Sequence, residues 1–118
     1  MRLISFDIDG TMTFGNPPGH IGPETVRRAK ELGFVVGSCS DRTIGEQTAL
    51  WRAAEIEVDF MARKHRLDDI KQRFEVSHYL HIGDTDTDYW MARRAGFAFM
   101  WIHEVPNDGS HEWLLVHG

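Results

Sequence analysis

The sequence contains one cysteine, Cys39, which excludes an internal disulfide framework and suits a reducing, cytoplasmic setting. No apolar run approaches the roughly 20 residues of a membrane span. The N-terminal stretch Met1 to Gly10 is a short apolar run ending in acids, unlike a secretory signal. A basic excess is missing too. Lys and Arg number 13 against 18 Asp and Glu, a net charge of −5, so no global positive field gathers nucleic acid. There are no internal repeats or low-complexity tracts. The 7 histidines have neither HExxH nor paired spacing, which argues against a zinc site. What remains is an ordinary globular composition, 42% hydrophobic and 26% charged over 118 residues. A chain of this length buries about two-thirds of its unfolded surface, and the expectation is a single domain over residues 1–118.

Punctuation divides the chain into short apolar runs alternating with amphipathic ones. Leu3 to Ile8 reads as a buried strand stopped by Asp9-Gly10. Residues 10–22 are too rich in glycine and proline for a helix or a central strand. Pro23 suits the first turn of a helix reaching Leu32, with Gly33 closing it. Phe34 to Ser38, Val58 to Ala62, Tyr79 to Ile82 and Phe97 to Ile102 are the further strand candidates. Helices are expected from Ile44 to Ala54, through Leu67, Ile70 and Phe74, and through Met91, Ala92 and Ala95. Trp113, Leu114 and Leu115 are left to pack back from the tail. Such alternation predicts an α/β fold: a three-layer, doubly wound, Rossmann-like parallel sheet of five strands.

In that architecture, polar residues just beyond the C-terminal strand ends converge in one crevice. The first run is followed by Asp7 and Asp9, the second by Ser40 and Asp41, the third by Arg63 and Lys64. Asp84, Asp86 and Asp88 follow the fourth. Several carboxylates in one crevice repel each other unless a cation neutralises them. Hard oxygen ligands without histidine or thiolate select Mg2+, which takes substrate phosphate as a further ligand. A hydroxyl and an ammonium suit the remaining phosphate oxygens. One carboxylate can attack phosphorus, and a second, two residues on, can serve as acid and base.

These residues resemble a known family. Asp7-Ile8-Asp9-Gly10-Thr11 resembles the first motif of the haloacid-dehalogenase-like (HAD) phosphatases. Ser40, with Arg42 two residues on, is similar to their hydroxyl motif, Lys64 to their lysine motif, and Gly83 to Asp88 to their acidic GDxxxD motif. All four occur in the family's order across residues 3–102. The resemblance implies a Mg2+-dependent phosphomonoester hydrolase. Asp7 is then the nucleophile that forms an aspartyl-phosphate, and Asp9 the general acid and base. Mg2+ is held by the Asp7 carboxylate, the Asp9 carbonyl and Asp84; Ser40 and Lys64 grip the phosphoryl group; Asp88 supports the lysine or the metal's water. Asp86 falls where the motif is open. Ser38 competes with Ser40, and Lys71 with Lys64, although Lys71 falls within a helical pattern.

Structural readings stand beside these: Ser40 as an N-cap, Lys64 as a solvated side chain, Asp88 as a helix N-terminal acid. Trp51, Trp90 and Trp101 read as core or rim. A receiver domain is disfavoured because no lysine follows the last strand, and neither a phosphate-loop nor a dinucleotide-binding glycine motif is present. A phosphotransferase of the same superfamily and a degenerate binding module remain as alternatives. The gaps between motifs are too short for a cap domain, so the expectation is a capless enzyme covered only by the loop from Thr11 to Ile21. An open site fits either a large phosphorylated substrate, such as a protein or a nucleic-acid end, or a homo-oligomer whose neighbour supplies a wall. Nothing in the sequence implies a membrane partner.

Overall fold

In a computed structural model that describes residues 1–117, strands and helices alternate along the chain. They are β1 (Arg2–Phe6), α1 (Pro23–Glu31), β2 (Val35–Ser40), α2 (Ile44–Ala53), β3 (Phe60–Arg63), α3 (Leu67–Arg73), β4 (His78–Gly83), α4 (Asp86–Ala95), β5 (Ala98–Trp101) and α5 (Trp113–Val116). The strands form one five-stranded sheet in the order β3-β2-β1-β4-β5, and every pairing is parallel. No helix among the described residues is long and apolar enough to cross a membrane.

A parallel sheet needs both faces covered, so its central strands must be apolar on both sides. Leu3, Ile4 and Phe6 of β1 are fully buried. Ile4 and Phe6 pack with Val26 and Ala29 of α1, Trp51 of α2 and Leu114 of α5. Leu3 points the other way, into a cluster with Leu67 and Ile70 of α3 and Ala92 of α4. The helices therefore form two outer layers, and the fold is the α/β Rossmann-like arrangement expected. Burying a side chain such as Leu or Phe contributes roughly 1.5–3 kcal/mol, which makes these two clusters the main source of stability.

The ends of elements differ from the sequence expectation for local reasons. β1 stops at Phe6, short of Ile8, because the Ile8 carbonyl turns to accept from the Thr11 and Met12 amides at 3.1 and 2.8 Å. Asp7 still donates its amide to Ile82 of β4 at 2.9 Å, so its backbone continues the sheet for one more residue. The N-cap of α2 is Thr43, with a reciprocal capping box to Glu46, so Ser40 is not that cap. β5 ends at Trp101, whose amide donates to the Glu104 side chain as the chain enters a short 3-10 turn. Trp51 is core, whereas Trp90 is 66% exposed. Between β1 and α1 the loop is pinned at its base by a Met12–Ile21 bridge, both residues being buried. Phe14 packs edge-on against Trp51 at 5.3 Å between ring centroids.

Candidate functional site

β1 lies between β2 and β4, where the direction of strand addition reverses. Crevices in open α/β sheets form at such a point, beyond the carboxyl ends of the strands. Here the crevice has a volume of about 200 Å³ and is lined by Asp7, Asp9, Pro17, Ser40, Asp41, Lys64, Asp84 and Thr85. The fold thus brings together residues from four strand ends and from the loop after β1. A larger hollow of about 430 Å³ lies elsewhere, between Lys30, Trp51 and Met61, and contains none of these groups.

Asp7 is only 3% exposed. Burial, the Asp88 charge and the Asp84 carboxyl push its pKa up to about 9, while Lys64 pulls the other way. Lys64 follows β3 directly, at the start of a 3-10 turn. Its Nζ lies 3.6 Å from Asp7 Oδ1, 3.2 Å from Asp88 Oδ1 and 3.7 Å from Asp41 Oδ2. Burial opposes its charge, but Asp7, Asp88 and Asp41 outweigh that and hold the ammonium above the ordinary lysine value. Lys64 is therefore a buried, ionised side chain at the floor of the site, not a solvated one. Lys71 instead donates to the Gly96 carbonyl at 3.2 Å, away from the crevice.

Asp88 is fully buried, and its carboxylate is filled by protein donors. Oδ1 takes a 2.9 Å bond from His81 Nε2 as well as the Lys64 ammonium. Oδ2 accepts from the amides of Asp84 and Thr85 and from the Thr85 hydroxyl, at 3.3, 3.2 and 2.8 Å. Burial alone would raise its pKa, but the His81, Lys64 and Thr85 contacts win and hold it well below the carboxylate range. Asp88 also completes the capping box of α4 with Thr85, so the helix-capping role and the supporting role coexist. A Cβ on Gly83 would fall 2.3 Å from the Asp88 carboxyl carbon, so the glycine is what allows that close approach.

Asp84 presents a different picture. Its Oδ1 is buried with no hydrogen-bond partner, an arrangement that costs about 1–3 kcal/mol or more for a charged group. The carboxylate rests against Gly10, where an added Cβ would sit 1.9 Å from Oδ2. Gly10 has φ 77°, a left-handed conformation that a side chain strains. Oxygens of Asp7, Asp84 and Asp88 all lie within 4.8 Å of one another, a spacing that a small cation could bridge. Because Asp88 is occupied by internal donors, Asp7 and Asp84 are the two carboxylates left for an ion. The donor set is all oxygen, which fits Mg2+.

Asp9 does not point to the same partners. Arg42 forks onto it, with Nε at 3.0 and 3.1 Å from the two oxygens and Nη2 at 2.9 Å from Oδ1. The Asn16 amide adds a 2.8 Å bond to Oδ1. Partial burial works against the charge, but the Arg42 and Asn16 bonds lower the pKa of Asp9 overall. Ser40 is buried at the crevice wall, where its Oγ accepts from the Arg42 amide at 3.1 Å. Ser38 is saturated elsewhere: it donates to Gln47 at 2.6 Å and accepts from Trp51 Nε1 at 2.9 Å. Asp86 is exposed at the start of α4 and does not line the crevice. Burial pushes the Cys39 thiol up to about 12, so it stays protonated beside Ser5.

Sequence reasoning assigned no role to Asp41, His81 or the Asp9–Arg42 fork. Asp41 was visible as a polar residue after β2, but its reach to Lys64 is tertiary. His81 lies inside the fourth apolar run, where nothing in a single sequence marks it as polar machinery. No family model matches the chain, and no curated protein matches it.

Proposed function

We propose that the protein is a Mg2+-dependent phosphomonoester hydrolase of the HAD-like type, acting through an aspartyl-phosphate on Asp7. The observation that carries this reading is the crevice itself: a buried carboxylate, Asp7, beside a half-buried one, Asp84, with an unpartnered oxygen, faced by a buried lysine and a hydroxyl. Asp7, Asp84 and the Asp9 carbonyl would hold Mg2+. When bound, the ion offsets the carboxylate charge and polarises the phosphoryl oxygens.

The chain's own groups then divide the work. Lys64 and Ser40 hold and orient the phosphoryl group, so that attack proceeds within one complex and not by collision. A carboxylate oxygen of Asp7 attacks phosphorus, and the bond to the leaving oxygen breaks. Asp9 protonates that leaving oxygen, then takes a proton from the water that cleaves the acyl phosphate. Asp9 must part from Arg42 to act as the acid, because the fork stabilises its ionised form. Asp88 keeps Lys64 in place from below.

The loop from Thr11 to Ile21 is the sole cover in this reading, which makes the enzyme capless and leaves the crevice open to a large phosphorylated substrate or to a wall supplied by a second copy. Hydrolysis of p-nitrophenyl phosphate with and without Mg2+ tests the reading. Activity that EDTA abolishes and Mg2+ restores is expected; undiminished turnover in excess EDTA refutes it.

A further inference from the structure

His81 is a buried ionisable side chain near the crevice that the reaction above does not use. It sits in the middle of β4, fully enclosed, and its register partner on β1 is Ser5. Ser5 Oγ and His81 Nδ1 are 2.9 Å apart, and His81 Nε2 and Asp88 Oδ1 are also 2.9 Å apart. An ionised Asp88 can only accept, so the ring presents an N–H at Nε2 to it, while Nδ1 faces the Ser5 hydroxyl. Both ring nitrogens are thereby paired.

A sheet interior does not need this pair. Two apolar side chains of similar volume would cover the same positions without any desolvation cost, and replacing buried polar groups in this way is often neutral or stabilising. The consequence of the pair is directional. Asp88 Oδ2 is fixed by Thr85 and the Asp84 amide, while Oδ1 meets only His81 and Lys64. With one side of Oδ1 taken by the imidazole, the ammonium is confined to the other side, which faces Asp7.

We infer that His81 is a positioning residue: through Asp88 it sets where Lys64 sits, so that the phosphate grip depends on a side chain one layer beneath the site. This rests on the hydrolase reading above. Without the imidazole, the full charge of Asp88 Oδ1 falls on Lys64 and draws the ammonium down, away from the phosphoryl position. His81→Met removes the donor and keeps an apolar body; His81→Gln offers an amide donor at about the reach of Nε2.

The measurement is the affinity of the folded protein for inorganic phosphate in the presence of Mg2+, together with kcat on an aryl phosphate. Losing one hydrogen bond to a charged group predicts phosphate binding roughly tenfold weaker in His81→Met, with a parallel fall in kcat. His81→Gln should recover most of both. Adding His81→Met to Asp88→Asn should cost nothing further, because the histidine acts only through that carboxylate. If His81→Met does not fold, Ser5→Ala, which frees the far side of the ring, should shift phosphate affinity in the same direction by a smaller factor. A purely structural histidine would lower thermal stability in these variants and leave phosphate affinity and kcat of the folded fraction unchanged; that result overturns the inference while the wild type stays active. A wild type that neither binds phosphate nor hydrolyses the ester overturns both this inference and the reading beneath it.

Discussion

Removing divalent cations should leave Asp7 protonated at neutral pH, because burial and Asp88 push its pKa from 3.8 up to about 9. Mg2+ and the proton then compete for one carboxylate. Well below pH 9, binding one Mg2+ should release about one proton, and the apparent Mg2+ affinity should rise roughly tenfold, or about 1.4 kcal/mol, per pH unit. The sign for stability follows from the same shift. Between 3.8 and about 9 the folded state binds more protons at this site than the unfolded state does. The contribution of neutral Asp7 is fully present below 3.8 and is lost as the pH rises toward 9, so the metal-free protein weakens with increasing pH. Asp88 shifts the opposite way and is ionised in both states above pH 6, so it adds no slope there. Calorimetric Mg2+ titrations at pH 7, in two buffers of different ionisation enthalpy, count the protons directly. Thermal melts in EDTA from pH 6 to 9 give the stability slope. The wild type should release close to one proton per Mg2+, and its melting temperature in EDTA should fall across this range. Asp7→Asn should release almost none and should lose the part of the slope that belongs to Asp7. Tight Mg2+ binding at pH 7 without proton release, or equal release from Asp7→Asn, refutes the reasoning.

Asp7→Asn should also lower kcat by at least ~10³ on an aryl phosphate, as expected for a group that acts as part of a unit; a variant that keeps most of the activity removes the covalent route. Asp9→Asn should bind Mg2+ nearly as well as the wild type while turnover falls, because its proposed contact is a backbone carbonyl; Asp84→Asn should lose Mg2+ affinity, and the reverse pattern in titrations contradicts the assignment. Gly10→Ala combines a left-handed φ, costing about 1–2 kcal/mol, with a Cβ that displaces the Asp84 carboxylate. Denaturant unfolding should show that loss, and Mg2+ affinity should drop with it; unchanged Mg2+ binding would separate Asp84 from the ion. Arg42→Gln removes the fork on Asp9, so the acid limb of the kcat profile between pH 4 and 7 should move upward, and an unmoved limb assigns it to another group.

The layout of the fold was legible because a parallel sheet imposes a strict rule on the chain. Each strand had to be apolar, short and bounded by turn residues, as with Tyr79 to Ile82 before Gly83-Asp84. Strand ends were less legible, since they depend on which carbonyl turns first: Ile8 reads as strand by composition but serves the turn at Thr11 and Met12. The candidate site was legible for the same topological reason. Polar residues that directly follow buried strands have one crevice to enter, and Asp7, Ser40, Lys64 and Asp84 all line it. Ser38 and Ser40 could not be separated by sequence, because they share one face of β2. What separates them is tertiary: Gln47 and Trp51, both from α2, consume the Ser38 hydroxyl.

The contacts that sequence reasoning passed over share a property. Arg42 and His81 meet their partners across the fold and act on a carboxylate instead of on the crevice, Arg42 on Asp9 and His81 on Asp88. The pKa values of the two carboxylates are thereby held down, while that of Asp7, which shares a single cation at 3.6 Å with two other acids, is pushed up by burial. Asp7, Asp9 and Asp84 in one small crevice, with Asp88 beneath it, cannot all be charged without a counter-ion. The protein meets this with internal donors for Asp88 and an arginine for Asp9, and leaves Asp7 a share of Lys64 and Asp84 Oδ1 no hydrogen-bond partner. A divalent cation would supply the remaining positive charge at Asp7 and Asp84. On the proposed hydrolase reading, Asp7 would ionise fully only with the ion bound, so the metal-free protein would hold it in the form that cannot attack phosphorus.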